Sequence, residues 1–415
     1  MGTKLVHRPA RLRADPLPAD PLKLPRVPVI DAASGQGAMA MRAILPLMAG
    51  VGMLAMMMSS GNPIRMIAGG VIVVGAIIGG IVMFIHAKTG GRKKAEQQRG
   101  VFVSFVNDTR RRLDDEIAEQ RRVAHRRHPA PADLLAVIRD PSRLWERRPS
   151  DPDFLTVRVG NGVGPLAREV EVDKDSDPLK APEPIAQAHL DRLLAATERI
   201  DDLPIGVPLA GIVSIVGPRD RTSEAVRALL TQVAVFHAPD DVRVHVALPA
   251  GGRVNAYGWA LWLPHVLDPE RFDGPIGRRM TSTDAEDAAP LLDEVARRRD
   301  ELGDRSKRFS GQELDTHHLI VVIDATDAHG RDLLARLIGD DLRELKVVLV
   351  VLNEDRTLEP GHVDARVTIA DDRAVDVEVI VEAQRRPGEE RAPDFERTRR
   401  LVRGASRGSA DAVSP

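Results

Sequence analysis

The spacing of hydrophobic positions changes character three times along the chain. Residues 43–60 and 66–85 carry no charged side chain, and as a helix each reaches about 27–30 Å, the thickness of a hydrocarbon core. Only Gly61-Asn62-Pro63-Ile64-Arg65 separates them. The pattern therefore predicts a two-helix transmembrane hairpin over residues 43–86, with both ends on one side of the bilayer. Gly75 and Gly79 share one face of the second helix; they suit a close helix contact, or they are simply the small residues common in membrane helices. No Asp, Glu or Lys lies inside either run, so the hairpin reads as an anchor and not as an ion path.

Beyond it, Phe102, Phe105, Val106, Thr109, Leu113, Ile117 and Ala124 recur at spacings that put one apolar stripe on a single helix. This predicts a basic stalk helix over 87–127, either continuous with the second span or broken at Gly90-Gly91. His128-Pro129-Ala130-Pro131 stops it, because proline forces its predecessor out of helical geometry. Residues 128–153 form a joint. Short apolar runs at 154–159, 211–216, 242–248, 319–323, 346–352, 365–369 and 375–381 then alternate with helical patterns at 186–200, 221–237, 284–302 and 331–342. That alternation predicts an α/β domain around a mostly parallel sheet over 154–382. Residues 1–42, punctuated by proline, read as an extended arm, and residues 383–415 as an Arg-rich linker.

Charge orients the hairpin. Basic residues crowd before the first run and again at Lys88, Arg92, Lys93 and Lys94, whereas the turn holds only Arg65; positive-inside bias places both termini in the cytoplasm. Residues 88–148 hold 16 basic and nine acidic side chains, which suits anionic headgroups of the lipid bilayer and equally a solvated helix face. The whole chain of 415 residues has a formal net charge of -2, which removes any global argument for binding nucleic acid. It has no cysteine, so disulfides, thiolate metal sites and a cysteine nucleophile are excluded.

A phosphate-binding loop needs glycines that turn backbone N–H groups toward phosphate, a lysine on the β/γ oxygens and a hydroxyl on magnesium. Gly217-Pro218-Arg219-Asp220-Arg221-Thr222-Ser223-Glu224 sits between a strand and a helix as such a loop does. The second glycine, lysine and hydroxyl of the template fall on Thr222, Ser223 and Glu224. Asp324 ends a buried strand, where a magnesium ligand belongs, but Ala325 follows it in place of a glutamate. Gly217, Arg219, Thr222, Ser223 and Asp324 are thus the degenerate cofactor-binding candidates, with no catalytic residue and no metal ligand set expected. His125, His128, His317 and His318 lack a carboxylate partner at ligand spacing. Trp145 among Arg143, Arg147 and Arg148 suits a stacked joint, with Asp151 and Asp153 pairing the arginines, or else a solvated charge cluster. Trp259, Trp262 and His265 read as core or interface residues.

In this order, several strings resemble one family. They are His128-Pro129-Ala130-Pro131, Arg143-Leu144-Trp145-Glu146-Arg147-Arg148-Pro149, Gln232-Val233-Ala234-Val235-Phe236-His237, and Trp259-Ala260-Leu261-Trp262-Leu263-Pro264-His265. Behind a hairpin and a basic stalk they look like the N-terminal part of EccC, the FtsK/SpoIIIE-type membrane ATPase of type VII (ESX) secretion systems. The resemblance implies a degenerate P-loop/Rossmann-like domain on the cytoplasmic side of the bacterial inner membrane, in a multi-pass protein. It implies partners of the EccB, EccD and EccE kind, further EccC copies, and secreted substrates engaged by motor domains absent here. ATP and Mg are then expected in those motor domains and not in this chain. The expected role is anchoring and coupling; the competing one is an α/β domain that itself binds ATP and gates the pore.

Overall fold

A computed structural model describes residues 8–12, 16–29, 63–173, 181–248, 257–307, 314–339, 341–381 and 401–411, with Met48, Gly52, Ala55 and Met56 as isolated positions. Two compact units result, one of Leu17–Gln120 with Pro165–Ile200 and one of Met1–Pro16, Arg121–Gly164 and Asp201–Pro415. The smaller unit holds β1 (Leu22–Leu24), most of α1 (Pro63–Arg127), β3 (Val170–Val172) and α3 (Pro184–Glu198). The larger begins with the last turns of α1, then α2 (Leu134–Arg139), β2 (Thr156–Gly164) and β4 (Ile200–Pro208). It continues through β5 (Gly211–Val216), α4 (Arg219–Phe236), β6 (Val242–Ala247), β7 (Leu267–Asp273), β8 (Ile276–Arg279) and β9 (Thr281–Ser282). Its last elements are α5 (Ala285–Lys307), β10 (His318–Asp324), α6 (Ala328–Leu337), β11 (Val347–Asn353), β12 (Ala365–Ile369), β13 (Ala374–Val381) and β14 (Leu401–Ala410).

The transmembrane hairpin is overturned. Among the described residues no helix is long and apolar enough to cross a membrane, and the multi-pass inner-membrane placement, with its contact to the lipid bilayer, loses its support. The first apolar run falls outside the described residues except at its four isolated positions. The second is no separate span but the opening of α1, which runs for 65 residues straight through Gly90-Gly91 into the charged stalk sequence. Once nucleated, a helix extends cheaply, and two glycines at about 1 kcal/mol each do not stop it. Val71, Val74, Ile78 and Ile81 are exposed, and nothing lies within 4 Å of a Cβ built at Gly75 or Gly79, so neither glycine meets a packing partner among the described residues.

In the smaller unit the stripe on α1 narrows to Phe102, Val106, Thr109 and Leu113, all buried. Phe102, Val106 and Leu113 meet Ala186, Leu190 and Leu193 of α3 and Leu24 of β1. Glu183 starts α3 by accepting the Ala186 N–H at 2.6 Å, an N-terminal cap of the usual kind. β1, from the segment expected to be an extended arm, pairs in parallel with β3.

In the larger unit ten strands form one sheet in the order β4-β2-β14-β13-β12-β5-β11-β10-β6-β9. From β12 to β9 neighbours are parallel; the β12/β13, β13/β14 and β14/β2 pairs are antiparallel. Each face carries a core. Val213, Ile215, Ile320, Val322 and Val350 pack with Val226, Leu229 and Val233 of α4. Ile212, Leu319, Val321, Ile323 and Leu349 pack with Leu291 and Val295 of α5 and Leu333 and Leu337 of α6. Alternation along β10 between the faces explains why its sequence is a nearly continuous apolar run. β14 occupies residues 401–410 of the stretch expected to be a linker.

Candidate functional site

Parallel strands of an open α/β sheet present ligand sites outside their carboxyl ends, where successive connections leave in opposite directions. Here that place lies beyond β5, β10 and β11: β5 connects outward to β6, while β11 connects across β5 to β12. Gly217 follows β5, Asp324 ends β10 and Asn353 ends β11, so the topology brings together the loop and the aspartate that stand far apart in sequence.

Gly217 is required where it stands. Its φ is +152° and a Cβ would lie 2.2 Å from the Ile369 carbonyl oxygen. Its N–H donates to the Asn353 carbonyl at 3.0 Å, and only Pro218 separates it from the start of α4. The cradle is therefore missing: a phosphate loop needs several residues of free N–H groups between strand and helix, and here the turn closes at once.

Arg219 fills the space a cation would take. Its Nη2 donates to Asp324 Oδ2 at 2.6 Å and to Thr326 Oγ1 at 2.8 Å, and its Nη1 lies 3.8 Å from Glu354. The other oxygen of Asp324 accepts the Thr326 N–H and hydroxyl at 3.1 and 2.5 Å. Asp324 is buried, so this pair is charge-assisted and screened little by water. Thr222 is likewise committed, its hydroxyl donating to the Arg219 carbonyl at 3.0 Å. Ser223 hydrogen-bonds with Tyr257, the only tyrosine; burial pushes that phenol's pKa up and the Ser223 bond opposes it. Gly330 lets α6 approach, since a Cβ there would sit 2.0 Å from the Asp324 carbonyl oxygen. Thr326, Glu354, Tyr257 and Gly330 escaped sequence reasoning. Only Thr326 left a local sign, a hydroxyl two residues beyond an aspartate.

These residues do not fit a magnesium nucleotide. Both Asp324 oxygens are engaged, only Pro218 lies between Gly217 and α4, and among the described residues no group of three carboxylate or imidazole ligands could hold a metal.

The remaining candidates lie elsewhere in this unit. Arg147 is fully buried, stacked 4.2 Å over Phe236, with its Nε 3.6 Å from Asp153. Arg11 grips both Asp153 oxygens at 2.6 Å. Burial opposes ionisation of Asp153, yet Arg11, Arg147 and Arg127 outweigh it and hold its pKa at about 2. Glu146 pairs with Arg143 at 3.0 Å. Trp145 stands at φ +57° and its indole N–H donates to the Ala234 carbonyl at 3.0 Å; the arginine stack forms on Phe236 instead. Trp259 packs at the edge of the sheet core 5.9 Å from the Arg227 guanidinium, Trp262 is exposed, and His265 is buried with its Nε2 2.8 Å from the His237 carbonyl.

Comparison with known proteins shows what the chain is similar to. Over 280 residues, 66% of this chain, the sequence is 31% identical to the ESX secretion system protein EccC of Thermomonospora curvata. Over that stretch the chain is similar to EccC proteins of ESX secretion systems. Over 239 residues it is 33% identical to the ESX-3 secretion system protein EccC3 of Mycobacterium tuberculosis, and over 291 residues 28% identical to EccC5 of the same organism. The chain spans about a fifth of the length of these curated relatives, 21%, 17% and 20% respectively. No family profile matches it. Among solved structures, the cytoplasmic domain of the Thermomonospora curvata Type VII Secretion ATPase EccC aligns with 68% of this chain and 32% of its own at 15% identity and a TM-score of 0.36. EssC (ATPases 2 and 3) from Geobacillus thermodenitrificans aligns with 65% and 47% at 14% identity and a TM-score of 0.38. Superpositions that loose bear no weight on the site, which rests on this chain's own geometry.

Proposed function

We propose that this EccC-like chain serves as a component of a type VII secretion ATPase, its larger unit acting as an ATPase-type domain whose nucleotide position is filled from within by Arg219. The ion pair of Arg219 with Asp324 carries this reading. It neutralises the carboxylate that would otherwise hold magnesium, and positioning plus charge neutralisation make up nearly all of phosphoryl-transfer catalysis. Such a domain couples to neighbours and leaves hydrolysis to other ATPase domains. The implied partners are subunits of the EccB, EccD and EccE kind, further copies of the chain, and secreted proteins, with ATP and magnesium bound by the hydrolysing domains.

A second reading has an observation in its favour. Gly217 and Asp324 converge beyond the carboxyl ends of β5 and β10, the place where an α/β sheet binds its ligand, and the ATPase relatives suit a nucleotide-binding, pore-gating domain equally well. Titration of the full chain with a fluorescent ATP analogue and magnesium separates the two. The internal-cation reading expects no saturable binding up to about 1 mM. Micromolar saturable binding that disappears in Asp324→Asn establishes the second reading in its place.

A further inference from the structure

The last carbonyls of an α-helix have no N–H of their own helix to accept, and at the end of α1 three arginines supply what is missing. Arg143 Nη2 donates to the Arg126 carbonyl at 2.7 Å, Arg147 Nη2 to the Arg127 carbonyl at 2.6 Å, and Arg158 Nη1 to the His128 carbonyl at 3.1 Å. Cations at a helix C-terminus also meet the negative end of its dipole. Each guanidinium faces a carboxylate: Glu146 for Arg143, Asp153, shared with Arg11, for Arg147, and Asp411 for Arg158. The third is the informative one, because Asp411 stands just past β14, far along the chain.

We propose that this chain's own β14 is a releasable occupant of the slot between β2 and β13, and that Arg158 reports its occupancy to the end of α1. The slot selects its strand by size. A Cβ at Gly160 would lie 2.2 Å from the Ser409 carbonyl oxygen, one at Gly162 2.4 Å from that of Arg407, and one at Gly408 1.8 Å from that of Asn161. Close approach of the two backbones fixes the register at Gly408↔Gly162, Ser409↔Asn161 and Ala410↔Gly160. In that register the Asp411 N–H donates to the Val159 carbonyl at 3.1 Å, and its carboxylate takes Arg158 Nε at 2.9 Å and Nη2 at 3.1 Å.

The segment that enters the slot offers little apolar area, with Ser406, Gly408, Ser409 and Ala410 around Arg407. Its grip is main-chain pairing with β13 and β2 plus the ion pairs Arg158–Asp411 and the exposed Arg407–Asp376. Burial raises the pKa of Asp411 against the pull of Arg158, so desolvation offsets much of that pair. Withdrawal of the strand leaves Arg158, which is 3% exposed, as a buried cation without its carboxylate. Arg158 then turns toward water and releases the His128 carbonyl. By linkage, fraying of α1 must loosen the strand by the same factor.

Hydrogen exchange on the full-length chain tests this. In Asp411→Asn the amides of residues 124–128 should exchange about tenfold faster, the equivalent of one charge-assisted hydrogen bond, with β10 and β11 unchanged and Asp411→Glu near wild type. Conversely, Ala124→Gly should speed exchange at Gly408, Ser409 and Ala410. Arg158→Lys, which keeps the charge but not the reach, should free residues 124–128 even if the aspartate variants fold poorly. Unchanged exchange at residues 124–128 in Asp411→Asn and Arg158→Lys overturns the proposal. So does an acceleration spread evenly over β10 and β11, since that signals general destabilisation.

Discussion

Arg147 illustrates how much one side chain settles here. It donates to the Thr156 carbonyl at 2.5 Å and the Arg127 carbonyl at 2.6 Å while stacking on Phe236. Burial lowers its pKa to about 10, with Asp153 opposing that fall, so it stays charged at neutral pH. Arg147→Ala leaves two carbonyls unmet and removes a buried charge partner of Asp153. The expected loss is about 3–5 kcal/mol of unfolding free energy, and Arg147→Lys should restore little, because one ammonium lacks the planar fork. Urea titration measures both; a loss under about 1 kcal/mol contradicts this assignment. The cluster of Arg147 and Asp153 was visible in sequence as a charged joint around Trp145. That Phe236 takes the arginine, and that Arg11 shares the aspartate, was not visible, because both come from segments remote in sequence.

Among elements, α1 follows its pattern most closely in the smaller unit. The four-three-four spacing of Phe102, Val106, Thr109 and Leu113 makes the seam, whereas Phe105, predicted within the stripe, is 36% exposed on its flank. Leu113→Ala should cost about 2–5 kcal/mol as a core truncation. Hydrogen exchange should place the effect in α3 and spare β10 and β11, and acceleration confined to the sheet would contradict the assigned packing. The apolar strands β5, β10 and β11 were legible because burial on both faces demands Val, Ile and Leu nearly throughout, and β12 because Ala365, Val367 and Ile369 alternate with polar residues. β4 was not, since Pro204, Gly206 and Pro208 work against strand propensity and belong at a protected edge. β14 hid for a related reason: its small residues carry no strand signal, and pairing with β13 and β2 makes it a strand.

For the molecule as a whole, buried histidines govern the response to acid. Burial lowers the pKa of His128, His237 and His245 to about 3 and that of His265 to about 4. Each lies below the unfolded value near 6.5, so the unfolded chain takes up protons that the folded chain refuses. Stability is therefore full above about pH 6.5 and declines as pH falls toward the folded values, by about 1 kcal/mol per pH unit for each histidine. Asp153, held at about 2, adds a further loss only as pH drops from about 4 toward 2. Melting temperature followed by circular dichroism should be level from pH 8 to 7 and fall steeply below about 6.5. A level profile down to pH 4.5 would show that these imidazoles are not held neutral.

Sequence alone determined the alternation of strands and helices, the long amphipathic helix and the decay of the phosphate loop, because periodicity and residue chemistry are local properties. It also suggested a membrane hairpin. Tertiary structure decided otherwise, carrying the second apolar run into a single continuous helix. It also placed Arg219 against Asp324 and set β14 between two strands far from it in sequence. Those outcomes depend on which distant backbones and charges meet, and chain order does not encode that in any short pattern.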